Sequence, residues 1–185
     1  MSGPTPVVTS PQNPPWLLCS SEPRRWYAVY TCVHHEKRIL KQLADRNVDA
    51  FLPLYRSVRR WKDRRKELDL VLFPGYVFVH TRLQEKLSVL QVPGVVMFLS
   101  CNGIPTSLPD DEIEALRRAL VHGICAEPHP YLKTGRRVLI RNGPFTGIEG
   151  VLTRKKDKYR FILSIEMIMR SVAIEVDATD VEALV

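Results

Sequence analysis

Apolar and polar positions alternate in short runs along the chain, and runs with helical spacing lie between them, so the pattern predicts a mixed fold. Residues 25–31 (RWYAVYT) are aromatic and β-branched and read as a strand. Residues 34–48 follow, with Ile39, Leu40 and Leu43 at the offsets that line one face of a helix. Residues 49–58 return to strand character through Phe51, Leu52, Leu54 and Tyr55, residues 59–67 form a charged hairpin tip, and residues 68–80 read as one long strand. Leu83, Leu87 and Leu90 mark a second, shorter helix, and residues 95–99 a further strand. After the Asn102-Gly103 turn, Pro109 opens a third helix over residues 110–121 with Ile113, Leu116 and Leu120 facing inward. The order βαββαβα predicts an α+β sandwich on an antiparallel sheet.

Residues 122–131 (HGICAEPHPY) have neither periodicity, and Pro128 and Pro130 disfavour helix, which predicts an interdomain linker. From residue 132, apolar positions alternate in short segments: Val138 and Ile140; Val151; Phe161, Leu163 and Ile165; Val172, Ile174 and Val176; Val181. Separated by glycines and charged turns, these predict a small five-stranded β-barrel. The expected organisation is therefore a disordered tail over 1–23, a domain over 24–121, the linker over 122–131 and a second domain over 132–185. The linker carries few apolar residues with which to dock the domains, so nearly independent tumbling is expected. The tail holds six prolines and no basic residue ahead of Trp16-Leu17-Leu18, a pattern of neither a signal peptide nor a membrane span.

Charge adds one possibility. The 27 Lys and Arg outnumber 20 Asp and Glu, giving +7, and a basic surface attracts polyanions. The excess is concentrated: Arg56, Arg59, Arg60, Lys62, Arg64, Arg65 and Lys66 surround Trp61 on the hairpin tip. Such a tip can follow a phosphate backbone while Trp61 stacks on an exposed base, although a charged hairpin is as often only a solvated surface. Cys19, Cys32, Cys101 and Cys125 form no C-x-x-C pair, which points to a reducing, cytoplasmic compartment rather than to zinc or redox chemistry. His34-His35 and the other histidines lack ligand spacing, no catalytic set stands on recognisable elements, and Gly143, Gly147 and Gly150 precede no Gly-Lys-Ser/Thr. Neither catalysis, metal nor cofactor is expected. Asp110, Asp111 and Glu112 fit the first turn of a helix, whose dipole favours acids.

Two motifs carry a family resemblance. Trp26-Tyr27 opens the first strand while Leu72-Phe73-Pro74-Gly75-Tyr76-Val77-Phe78-Val79 lies on the third, and the barrel contains Gly135-x-x-Val138-x-Ile140-x-x-Gly143-Pro144-Phe145-x-Gly147-x-x-Gly150. The first resembles the signature of the NusG N-terminal domain and the second its KOW motif, in matching order over residues 25–185. Tyr30 and Phe78 resemble the aromatic positions of the specialised RfaH- and UpxY-type paralogues. The resemblance implies a non-enzymatic transcription elongation or antitermination factor, expected as a monomer, that reduces pausing. Its N-terminal domain would grip the clamp helices of the largest RNA polymerase subunits and lie beside the DNA of the transcription bubble. Its KOW domain would recruit a small-subunit ribosomal protein or Rho.

On this reading Trp26, Tyr30, Phe73, Tyr76 and Phe78 form the polymerase-binding patch. Alternation supports it: Trp26 with Tyr30, and Tyr76 with Phe78, share faces, while Val29, Phe73, Val77 and Val79 make the opposite faces apolar too. A sheet covered by helices on one side needs one apolar face, so a second implies another partner. Arg59, Arg60, Trp61, Lys62, Arg64 and Arg65 are the expected nucleic-acid contacts; Phe145, Met167, Ile168 and Met169 are those of the KOW partner, the Met run reading equally as a continuing strand. Pro144 and the glycines at 135, 143, 147 and 150 weigh against a helical alternative for the second domain. The rival is a KOW-type RNA-binding or ribosome-associated protein, which needs neither the Trp-Tyr nor the FPGY strand.

Overall fold

The computed structural model describes residues 22–61, 64–124, 126–130, 135–155 and 158–184. Its first part is built on a four-stranded antiparallel sheet in the order β2-β5-β1-β6, from β1 (Arg25–Thr31), β2 (Asp49–Phe51), β5 (Tyr76–Thr81) and β6 (Val95–Phe98). Strand alternation sends Tyr27, Val29, Val77 and Val79 to one face, where they pack with Ile39 and Leu43 of α1 (Glu36–Asp45) and Val89 of α2 (Lys86–Leu90). Trp26, Ala28 and Phe78 take the other face with Ile113, Ala115, Leu116 and Ala119 of α3 (Asp110–Val121). Helices thus cover both faces. Each fully buried large apolar side chain here contributes roughly 1.5–3 kcal/mol.

Two expected strands are each broken in two. Residues 49–58 divide at Leu52-Pro53 into β2 and β3 (Leu54–Trp61), because proline has no N–H to give to a ladder. Residues 68–80 divide at the Pro74-Gly75 turn into β4 (Arg64–Val71) and β5, with Gly75 at φ +84°. The pieces β3 and β4 form their own two-stranded ribbon, paired from Leu54↔Val71 to Trp61↔Arg64. A smaller hairpin, β7 (Ser100–Cys101) with β8 (Ile104–Pro105), holds the Asn102-Gly103 turn.

The second part is a six-stranded antiparallel sheet compatible with a small KOW or SH3-like barrel. Its order is β14-β10-β11-β12-β13-β9, from β9 (Ala126–His129), β10 (Arg136–Ile140), β11 (Glu149–Lys155), β12 (Lys158–Ile165), β13 (Arg170–Val176) and β14 (Val181–Ala183). Val138, Ile140, Phe145, Phe161, Leu163, Val172 and Ile174 are buried in it. Gly150 is required by close approach, since a Cβ there would collide with the Phe161 ring and the Ile162 carbonyl. The strand beyond the expected five, β9, comes from the segment read as linker. It lies at the sheet edge against β13 with Pro128 opposite Val172, and an edge strand is where proline is tolerated. Arg160 on β12, whose side chain is largely buried, reaches past β13 to donate to Glu127 of β9 at 2.8 Å. Buried side chains from both parts meet in one cluster, from Trp26, Phe78 and Leu116 to Phe161, Ile165 and Ile168, with Met167 packed against it, apart from the cluster under α1 and α2.

Candidate docking surface on the first sheet

One face of the first sheet has two different ends. At one end Trp26 is fully buried and fixed to α3 by three interactions. Its backbone N–H donates to Asp110 Oδ1 at 3.1 Å, its indole Nε1–H donates to Glu114 Oε1 at 3.0 Å, and the Arg117 guanidinium lies 5.7 Å from the ring centroid. Asp110, Glu114 and Arg117 recur at helical spacing, so a single helix face supplies all three. Arg117 also pairs with Asp49 at 3.2 Å, and His80 stacks 5.1 Å from the Trp26 ring. Phe78 is fully buried beside it, its ring 5.8 Å from Phe73 and 6.2 Å from Phe51.

The other end is open. Tyr76, Tyr30 and Met97 are register partners across β5, β1 and β6, so their side chains form one row. The Tyr30 and Tyr76 rings are 5.6 Å apart. Tyr30 is 37% exposed and Met97 51% exposed, Tyr76 is half-buried, and Val33 stands exposed just past β1. Aromatic and thioether groups in a row with one wet face offer an apolar partner a surface that loses little conformational entropy on binding.

Of the five residues expected in the patch, the structure therefore brings Tyr30 and Tyr76 to the surface and buries Trp26, Phe73 and Phe78. Phe73 also changes sides. Counting along an unbroken strand sets it opposite Phe78, but the Pro74-Gly75 turn interrupts the alternation and lays it edge-on against the Phe78 ring at 87°. The second apolar face, read as a sign of an external partner, is covered at its Trp26 end by α3. Met97 joins the row, and Val33 stands exposed past the end of β1, neither of them in the expected patch. The signal for Met97 lies in the sequence, because the run Val95-Val96-Met97-Phe98 is apolar throughout and a half-covered edge strand must turn part of it outward.

Of the expected nucleic-acid contacts, Arg59, Arg60, Trp61, Arg64 and Arg65 belong to the β3–β4 ribbon. Arg59, Arg60 and Trp61 pair with Lys66, Arg65 and Arg64 in its backbone register. Lys62 and the side chains of Arg59, Arg60, Trp61, Arg64 and Arg65 lie outside the described residues. The ribbon base is fixed to α1 by Lys37, whose Nζ donates to the Asp69 carbonyl at 2.8 Å. A cleft of about 420 Å3 opens there between His34, Lys37, Tyr55, Asp69, Val71 and Pro74.

In the second sheet Phe145 and Ile168 are buried, Met167 is partly buried, and Met169 is 61% exposed. The Met run is a single helical turn (Glu166–Ile168) ended by Met169 at φ +50°, not a continuing strand, so a three-residue period replaces alternation. Among the described residues, no three or more His, Cys, Asp or Glu side chains are grouped to hold a metal ion. Nor, among them, is any helix long and apolar enough to cross a membrane.

The family model described as transcription termination factor nusG matches residues 24–117. The transcription termination/antitermination protein NusG of Pseudomonas aeruginosa is 25% identical over 173 residues, covering 86% of this chain and 98% of that one. The protein of the same name from Staphylococcus carnosus is 27% identical over 177 residues, covering 87% and 96%. A solved structure described as "Domain interaction in Thermotoga maritima NusG" is alike in fold, with a TM-score of 0.51 and 23% identity over 88% of this chain and 98% of that one.

Proposed function

The chain belongs to the NusG family, and from that premise we propose that it is a transcription factor that docks on RNA polymerase through the row Tyr76–Tyr30–Met97. That row carries the proposal: two adjacent tyrosines and a methionine, partly exposed at one end of a sheet within the family-matched residues. The clamp helices of the largest polymerase subunits are the partner that the family resemblance implies. Trp26, Phe73 and Phe78 then act beneath the row, holding the sheet rather than touching the polymerase. Because the family match lies on residues 24–117, it supports this reading over that of an RNA-binding KOW protein with no use for those strands.

Residues 24–121 serve as the polymerase-binding domain and residues 132–185 as the recruiting domain, with β9 attached ahead of it. Met169 is the exposed member of the expected partner set and is its proposed docking residue, for a ribosomal protein or Rho. Opposing pausing, with the bubble DNA lying against the ribbon, completes the reading.

Affinity of the full chain for core RNA polymerase tests the docking: Tyr30→Ala with Tyr76→Ala should abolish capture, and undiminished capture would refute it. The ribbon is tested separately on bubble DNA. Replacing Arg59, Arg60, Arg64 and Arg65 with Ala should flatten the salt dependence of binding, the log–log slope falling by about 0.7–0.9 for each phosphate no longer neutralised. An unchanged slope and affinity would reduce the ribbon to a solvated surface.

A further inference from the structure

Among the described residues, Glu36 alone combines an ionisable carboxyl with near-complete burial, at 3% exposure. Burying a carboxyl is costly unless it gains a partner, and an apolar side chain such as the Ile39 or Leu43 of the same helix would fill that space more cheaply. What the carboxyl gains is one backbone group: the Gly75 N–H donates to Glu36 Oε1 at 2.8 Å. The Gly75 carbonyl in turn accepts the Thr31 N–H at the end of β1, also at 2.8 Å. Both polar groups of this residue are therefore held, one by α1 and one by β1.

Gly75 is also the hinge between the Pro74 turn and β5. Its φ of +84° is one that side-chain-bearing residues rarely adopt, and a Cβ there would stand 3.4 Å from Tyr30 Cε2 and 3.6 Å from Val33 Cγ2. The backbone thus approaches the Tyr30 ring closely, and the next residue is Tyr76, whose ring meets that of Tyr30. We propose that Glu36 is a positioning residue: by holding the Gly75 N–H it fixes the turn that sets Tyr76 against Tyr30, and so forms the docking row before any partner arrives. The proposal rests on the docking reading above. Rows formed in advance bind more tightly because less ordering remains to be done on association.

Amide exchange and the Tyr30–Tyr76 ring proximity in the free full-length chain test it, alongside polymerase affinity. In the native protein the Gly75 amide should exchange far more slowly than an unprotected peptide; exchange at the unprotected rate would overturn the proposal without any variant. Glu36→Gln, which keeps an acceptor oxygen, should retain the Gly75 protection, the ring proximity and the affinity. Glu36→Met, of similar length without that oxygen, should lose the protection and the ring proximity, and about 10-fold in affinity as the row must be ordered on binding. A Glu36→Met chain with a lower melting temperature but the two rings still together and full affinity in its folded fraction would make Glu36 merely structural. Tyr30→Ala separates the two ideas. If it weakens binding and Glu36→Met does not, the positioning role falls; if neither weakens binding, the docking reading falls and takes this proposal with it.

Discussion

Trp26 and Tyr30 lie on the same strand and the same face, both aromatic and both flanked by aromatic neighbours, yet one is fully buried and the other 37% exposed. The difference is α3. Its acids and Arg117 take up the Trp26 N–H groups and ring, whereas the end that holds Tyr30 pairs with the short edge strand β6 and stays open. An aromatic on an apolar strand face is thus not by itself a docking residue. What decides is whether a helix of the same chain has polar groups placed to satisfy it.

The largest effect that can break this comparison is on stability. Trp26→Ala and Phe78→Ala each remove a fully buried ring, which should cost about 3–5 kcal/mol and lower the melting temperature by roughly 10 °C. Tyr30→Ala should leave it within a few degrees of the parent. Thermal unfolding of the three variants in one buffer checks this, and equal losses at both ends would erase the distinction between buried support and open surface.

Affinity should rank them the other way. Partly exposed aromatic anchors at the centre of an interface typically contribute about 2 kcal/mol or more, so Tyr30→Ala and Tyr76→Ala should each weaken polymerase binding by roughly 30-fold. Met97→Ala, with a flexible side chain on an edge strand, should weaken it less. A folded Phe78→Ala chain that binds worse than Tyr30→Ala would move the interface to the buried end.

Much of this is legible from residue patterns, and where it is not the reason is local. Periodicity locates α1, α3 and the strands around Trp26 and Tyr76, since each is long enough to repeat its pattern. It joins β4 to β5 because Leu72-Phe73 is as apolar as the strands beside it, and only the Gly75 backbone reveals the turn. That one break is what places Phe73 on the wrong side. The strand β9 is invisible to periodicity because its pairing is supplied by β13 and by Arg160, more than thirty residues along, while its own prolines argue for a loop. Glu36 carries no signal beyond that of an acid in a first helical turn. Its partner is a backbone N–H, and backbone groups are the same at every position. The expectation of nearly independent tumbling runs against this packing, because β9 begins at Ala126, inside the segment read as linker, and one buried cluster holds side chains of both parts.

The smallest expected effect probes the far edge of the helix that makes the difference. Glu112 lies in the first turn of α3, where the dipole favours an ionised carboxyl, yet burial pushes its pKa up from 4.5 to about 7, with Glu166 and then Asp111 adding repulsion. Glu166 opens the turn that ends at Met169, so two acids repel one another across α3 and the second sheet's loop. The sign follows from linkage. A carboxyl whose pKa is higher in the folded chain binds its proton more tightly there, so stability falls as pH rises from about 4.5 to about 7 and the penalty is complete above that. Glu112→Gln should therefore raise the melting temperature near pH 8 and change it little near pH 4.5. Partial solvent screening holds the gain to about 1 kcal/mol, or roughly 2–4 °C. Glu166→Gln should give a smaller gain, because it removes the second cause and leaves the first. If Glu112→Gln stabilised equally at both pH values, improved packing would explain it instead, and α3 would cover the Trp26 end without any electrostatic cost where it meets the second sheet.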